Sequence, residues 1–540
     1  MILTDEEKRM RDGAEGAATA AAMDLLIRYG DALACDRLCD VRNVAGTMTQ
    51  PSPVKERLVR EGGWDKAFAV INLDCDTEIE VPAVRVPTCQ LQHGFGPDAR
   101  GVVPYPPHRI ELQQDAEAFY GRRGVNILAT CTPYQVGNIP VRGEHIAWME
   151  SSAVIYANSV LGARTDCEGT ASAGAASLTG KIPCWGNHRD ENRYGTHLID
   201  VRAPVDSFLD WGMLGYFAGG VAGEEHPVLA GALGGRVRPD LADLKHFGAA
   251  AATSGGVELY HIPGITPEAP TLEAAFGGTK TPEPVRYGPA ERRAVYETLN
   301  SQGTRTDVDF ALLGCPHASV DQVRRAAAAL DGRRLHPGIE LWLMLPRALK
   351  DVADRSGYTE VIERAGGRLL GDSCPAMSRV APEGTRVFAT DSAKQAHYLP
   401  AICGIEAWFG TLEDCVDAAV TGRWHRQDTG FPQRQGVVRL VGVLPEHPAA
   451  RHRAGRHDHQ PDQHQVGARR GCHPGAHAHR PGPGSLPGHP HRRLGPRRRH
   501  PRPHRGQTRR EELTAPCRCA ATSSHSGTAR TACTTSRPGR

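Results

Sequence analysis

Three cysteines of this 540-residue chain stand in one repeated setting. Cys131 follows the apolar run 125–129 in Thr130-Cys131-Thr132-Pro133-Tyr134. Cys315 follows the run 308–313 in Gly314-Cys315-Pro316-His317, and Cys374 follows Leu369-Leu370 in Gly371-Asp372-Ser373-Cys374-Pro375. Each has a proline within the next two residues, which turns the chain out of regular structure just after the thiol is presented. Three readings stand at this level. Structural zinc wants four ligands, usually in close pairs such as C-x-x-C, which the body of the chain lacks. Buried, inert thiols are the plain alternative. An iron–sulfur cluster held by three cysteines leaves an iron open to substrate, which suits a Lewis acid better than an electron carrier.

Thiols so far apart in sequence meet only if the fold brings strand ends together. A strand-like run at 308–313 precedes a helix predicted over Val320–Leu330. An apolar run over Glu340–Leu345, a helix from Arg347 and a strand near Leu369 follow. Such alternation predicts an α/β core with parallel sheets in several layers. Ligands bind such sheets outside the carboxyl ends of the strands, where the three cysteines are expected. Nearer the start, Thr4 and Glu7 predict a capping box and an Ala-rich helix to about Tyr29, closed by Gly30.

Composition narrows the class. The length calls for more than one structural unit, and no run approaches the roughly 18 consecutive apolar residues of a membrane span. Fifteen cysteines are spread along a chain whose first residues lack a signal-type apolar run, so a reducing cytoplasm is expected. The net charge of +3 conceals two unlike parts. Residues 451–540 hold 19 Arg, no Lys and 4 acids, a net +15, which leaves −12 on the first 450. Residues 426–540 are read as an Arg-, His- and Pro-rich low-complexity tail that buries too little apolar surface to order itself. Its composition fits out-of-frame translation of a GC-rich gene; a basic arm and a His-rich metal tract are the competing readings.

Longer strings add a resemblance. Cys131-Thr132-Pro133-Tyr134, Gly143-Glu144-His145-Ile146-Ala147-Trp148-Met149-Glu150-Ser151-Ser152-Ala153 and Ala157-Asn158-Ser159-Val160-Leu161-Gly162-Ala163-Arg164-Thr165 occur in order. Gly314-Cys315-Pro316-His317-Ala318-Ser319 and Asp372-Ser373-Cys374 follow. Over roughly residues 2–425 the chain resembles the aconitase X family. The resemblance implies an aconitase-like α/β catalytic region over 1–425 and hydro-lyase activity. It also implies an iron–sulfur cluster, of two-iron or four-iron type, on Cys131, Cys315 and Cys374. Family substrate contacts fall on Gly46, Thr47, Met48, Asn72, Glu150, Ser151 and Lys394, with Glu150, Ser151 and Lys394 also read as catalytic. Lys394 is expected to neutralise a substrate carboxylate, and Glu150 to grip the substrate or move a proton.

Two substrates divide the family, 5-phosphomevalonate and cis-3-hydroxy-L-proline, the latter dehydrated to 1-pyrroline-2-carboxylate. Here Asn72-Leu73-Asp74 stands where an archaeal-type member has Asn-Pro, and Thr47-Met48 replaces Val-Ser. A carboxylate at Asp74 would repel a phosphate and suit a secondary amine, so cis-3-hydroxyproline is the expected substrate. The family's small swivelling domain, fused or a separate subunit, supplies a serine that resembles the base; no match to it occurs here, and a frameshift at 426–540 would account for its loss. His145 and His317 read as supporting residues, and Cys39, Cys167 and Cys184 as packed thiols. The Gly-rich stretches at 219–223 and 231–235 lack nucleotide-binding spacing. The competing class is a non-catalytic α/β protein with a nucleic-acid-binding tail; neither a membrane nor a nucleic-acid partner is expected.

Overall fold

The computed structural model describes residues 1–231, 238–301 and 303–425, all within one unit. The tail at 426–540, with every reading attached to it, lies outside the described residues. The α/β expectation holds, with parallel pairing in three sheets. The first has the spatial order Val125–Ile127, Thr88–Gln90, Val44–Gly46, Ala147–Trp148. The second runs Pro227–Gly231, His197–Val201, Val285–Tyr287. The third runs Arg368–Gly371, Glu340–Leu345, Phe310–Leu313, Val387–Thr390, Glu406–Phe409. A short antiparallel pair, Leu38–Asp40 with Lys181–Pro183, completes the pairing.

The third sheet shows why its strands read as unbroken apolar runs. Phe310, Leu312, Trp342, Met344 and Phe388 enter one buried cluster, while Ala311, Leu313, Leu341, Leu343, Leu345 and Ala389 enter another. Both faces are covered, as a parallel sheet requires. The helices Val320–Leu330 and Arg347–Arg355 form where the sequence predicts them.

The N-terminal helix differs from expectation. Thr4 and Glu7 do form the capping box, but the helix stops at Arg11 and a second spans Ala17–Ala32. Gly13 and Gly16, at φ of 86° and 97°, break the run in conformations that favour glycine. Gly30 continues the second helix instead of ending it, and its missing Cβ makes room for the Met1 methyl, which would otherwise collide with it.

Candidate active site

Each cysteine loop leaves its strand through a left-handed residue. Ala129 (φ 50°) lies two before Cys131, Gly314 (φ 85°) one before Cys315 and Asp372 (φ 54°) two before Cys374. The turn lifts each thiol off the sheet's carboxyl edge. Glycine and aspartate adopt this conformation readily, alanine does not, so the first turn is imposed by its surroundings.

His317 joins the three loops. Its Nδ1 lies 2.9 Å from the Thr130 hydroxyl and its Nε2 2.9 Å from the Ser373 carbonyl. A carbonyl only accepts, so Nε2 carries the proton and Nδ1 accepts from Thr130. Burial pushes the imidazole down to about 4, keeping it neutral. The His317 N–H also donates to Cys131 Sγ at 3.3 Å. The Lys245 ammonium and Gln135 amide hold the His317 carbonyl, at 2.8 and 3.0 Å. A residue read from sequence as supportive thus clamps all three thiol-bearing segments.

The three thiols are mutual neighbours. Burial, then the Glu150 carboxylate and the Cys315 and Cys374 sulfurs, hold Cys131 well above the ordinary thiol range. Burial pushes Cys315 up to about 12, opposed by Lys394, and raises Cys374 as well. Among the described residues one His/Cys/Asp/Glu group gathers its ligand atoms within 4.8 Å, Cys39 with His145 and His188, and the three sulfurs do not. Three thiols brought together on strand-end loops are the donor set of an iron–sulfur cluster, and a cationic centre would favour the thiolate form that burial disfavours.

Beside the thiols lies a buried ion pair. Lys394, in the first turn of the helix Ala393–Cys403, places its ammonium 2.7 Å from Glu150 Oε1, 2.8 Å from Ser152 Oγ and 3.2 Å from Ser151 Oγ. Its three N–H donors are all engaged. Burial disfavours the ammonium, but Glu150 and the Cys315 sulfur outweigh it and hold Lys394 above its ordinary value. Glu150 has a second duty, since its Oε2 accepts from the Ala153 N–H and caps the helix Ser151–Tyr156. Tyr156 of that helix stacks on Tyr134, with ring centroids 3.8 Å apart, fastening the Cys131 loop to the Glu150 segment.

Gly46, Thr47 and Met48 gather at the same edge. The Thr47 hydroxyl donates to the Met149 thioether at 3.2 Å, and Gln90 Oε1 accepts from the Met48 and Thr49 N–H groups at 2.6 and 2.9 Å. Gln50, next in the loop, accepts from Gly94 N–H and donates to the Met377 carbonyl, tying the loop to the segment after Cys374. Asn72 is buried, its amide donating to the Thr170 carbonyl at 2.9 Å. Asp74 departs from expectation. It follows the helix Pro53–Asn72 at φ 48°, which swings its carboxylate to solvent, where it pairs with Arg28 at 3.1 Å. Its expected repulsion of a phosphate is withdrawn. Cys39 and Cys184, read as packed thiols, form a disulfide.

The sequence reading missed a buried carboxylate group, Asp166, Glu168 and Glu258, whose acids carry no distinguishing pattern. Burial raises Asp166 to about 7, and Glu168 and Glu258 to about 8. For Glu168 the usual value is 4.5, so between pH 4.5 and 8 the folded chain holds a proton that the unfolded chain has lost. Raising the pH through that window therefore removes stability. Buried neutral imidazoles such as His93 and His246 act oppositely below about pH 6.5. The informative quantity is therefore a difference. The Tm of Glu168→Gln minus that of the parent is expected to grow from pH 5 to pH 8 in a scanning fluorimetry series, and a constant or shrinking difference would remove Glu168 from the account.

Three family models match the chain in order. They are the aconitase X first domain over residues 1–191, the second over 195–297 and the third over 308–421. Together they span most of the chain, which belongs to the aconitase X family. The chain is 36% identical over 407 residues to the phosphomevalonate dehydratase large subunit of Methanothermobacter thermautotrophicus, covering 75% of this chain and 96% of that one. It is 33% identical to the cis-3-hydroxy-L-proline dehydratase of Hypocrea jecorina, covering 79% of this chain and 70% of that one. The crystal structure of Thermococcus kodakaraensis aconitase X in its holo-form superposes with a TM-score of 0.64 at 33% identity, over 78% of this chain and all of that one. The protein is a dehydratase of this family. No helix among the described residues is long and apolar enough to cross a membrane.

Proposed function

We propose that the chain is the cluster-bearing part of an iron–sulfur dehydratase that converts cis-3-hydroxy-L-proline to 1-pyrroline-2-carboxylate in the cytoplasm. The observation that carries this reading is the convergence of Cys131, Cys315 and Cys374 on the Lys394–Glu150 pair. A bound cluster would supply a Lewis-acid iron for the departing hydroxyl. Ser151, half-exposed and accepting from Lys394, has its own O–H free for a substrate oxygen. Lys394 supplies the positive field for a substrate carboxylate, and Glu150 keeps that ammonium in place. We assign the proton-abstracting base to a serine of a small partner subunit or domain; relatives named as large subunits support such a partner.

The choice of substrate rests on Met48 and Lys394. Met48 is buried in an apolar cluster, so the loop offers no hydroxyl at the position where one would favour phosphate. The single ammonium of Lys394, already shared with Glu150, suits one carboxylate better than a carboxylate with a phosphate dianion. The higher identity to phosphomevalonate dehydratase large subunits supports 5-phosphomevalonate as a second reading. Both compounds are to be tested side by side, with turnover by the chain together with its small partner read by mass spectrometry and binding to the chain by thermal shift. For cis-3-hydroxy-L-proline we expect a kcat/KM at least about 100-fold higher and the larger Tm increase. A stronger response to 5-phosphomevalonate in both readouts would reverse the assignment.

A further inference from the structure

A second cluster of metal-binding side chains lies apart from the three cysteines and shares no residue with them. Cys39 is on the strand Leu38–Asp40, and Cys184 directly follows its antiparallel partner Lys181–Pro183, their Cα atoms 5.0 Å apart. His188 closes the turn Gly186–His188, and His145 precedes the strand Ala147–Trp148. Four chain segments thus meet here, three of them placing a ligand atom in one group, and Cys184 adjoins that group through its bond to Cys39. The Cys39 sulfur and one ring nitrogen from each of His145 and His188 lie within 4.8 Å of one another.

The imidazoles are arranged as ligands are. Their rings lie 5.2 Å apart at 21°, and Nδ1 of His145 faces Nδ1 of His188 at 2.9 Å. Two ring nitrogens at that distance share a single proton; an ion bonded to both would sit to one side of the line joining them and take that proton's place in satisfying both lone pairs. His188 is 2% exposed, so its ring is held away from water. The nearby cations do not oppose an ion strongly. Arg164 is paired with Asp190, and Arg193 with Glu268 at 2.8 Å.

We propose that Cys39, His145, Cys184 and His188 form, once the two cysteines are reduced, a four-coordinate site for a divalent ion of the zinc class. Two thiolates and two imidazoles are a common donor set for structural zinc, and a site with no open position fastens segments rather than performing catalysis. The Cys39–Cys184 disulfide and the metal-bound form exclude each other. Reduction by a phosphine takes the oxygen of one water molecule into the phosphine oxide and leaves a hydrogen on each sulfur. The divalent ion then displaces the two thiol protons.

The test uses the full chain, reduced anaerobically with a phosphine and titrated with Co2+, in a background where Cys131, Cys315 and Cys374 are serine. One Co2+ per chain is expected, with tetrahedral d–d bands and a thiolate charge-transfer band. Cys39→Ser and His188→Gln should each weaken binding by more than the about 10–100-fold typical of outer-shell changes. If the triple-serine background fails to fold by circular dichroism, the comparison is repeated in the unmodified chain as a difference in bound Zn2+ between parent and His188→Gln, one per chain being expected. Absence of stoichiometric binding in folded, reduced protein would overturn the proposal, as would a cobalt spectrum unchanged by Cys39→Ser. So would peptide mapping that finds Cys39 still bonded to Cys184 after reduction.

Discussion

A Cys315→Ser variant purified without oxygen is expected to lose its iron, its acid-labile sulfide and its brown colour, and to fall at least about 10³-fold in dehydratase activity. The magnitude follows from the several kcal/mol that a Lewis acid contributes to expelling a poor leaving group, at about 1.4 kcal/mol for each factor of ten. The fold should survive. The Cys315 thiol sits at the carboxyl edge of its sheet, while the Phe310–Leu313 strand beneath it packs on both faces without it. His317 holds its loop through Thr130 and Ser373, not through the sulfur of Cys315. An unchanged circular dichroism spectrum with iron absent is therefore the expected pair of results. Cys75→Ser, altering a half-buried thiol outside the site, serves as the control and should keep full iron content. Iron and sulfide retained at parental stoichiometry in Cys315→Ser would show that the thiol is not a ligand.

The thiols were legible in the sequence because an apolar strand-like run and a proline leave a local signature at each one. What was not legible is what holds them together. His317 gave no local sign of reaching both Thr130 and Ser373, partners 187 and 56 residues away. Asp74 failed for the opposite reason. Its place in a motif pointed inward, but a positive φ two residues past the helix end reversed its direction. Likewise the break in the N-terminal helix depended on Gly13 and Gly16, whereas Gly30, equally available as a stop, stays inside a helix, where its missing Cβ makes room for the Met1 methyl. The buried acids Asp166, Glu168 and Glu258 and the meeting of Cys39 with His145 and His188 are products of tertiary packing alone. Sequence pattern reports what each segment does by itself; pairings across 50 residues or more emerge when the sheets are assembled.

Lys394→Met tests whether the ammonium serves the substrate or only Glu150. Removing it leaves a carboxylate 8% exposed without its partner, and breaking such a pair costs about 3–5 kcal/mol of stability. Lost activity in that variant alone would therefore be ambiguous. Combining it with Glu150→Gln resolves the ambiguity. The glutamine oxygen can still accept from the Ala153 N–H and cap the helix Ser151–Tyr156, while the uncompensated charge is gone. Because a buried ion pair replaced on both sides by neutral groups is often close to neutral in stability, the double variant should regain most of the Tm lost by Lys394→Met. Activity should not return. Losing a buried charge aimed at developing negative charge typically costs about 10²–10³-fold in kcat. A double variant that regains both Tm and turnover would mean that neither charge serves the substrate and that the pair is structural. Recovered Tm with turnover still down by that factor, and with normal iron content, would place the ammonium on the substrate itself provided that Glu150→Gln alone keeps its turnover.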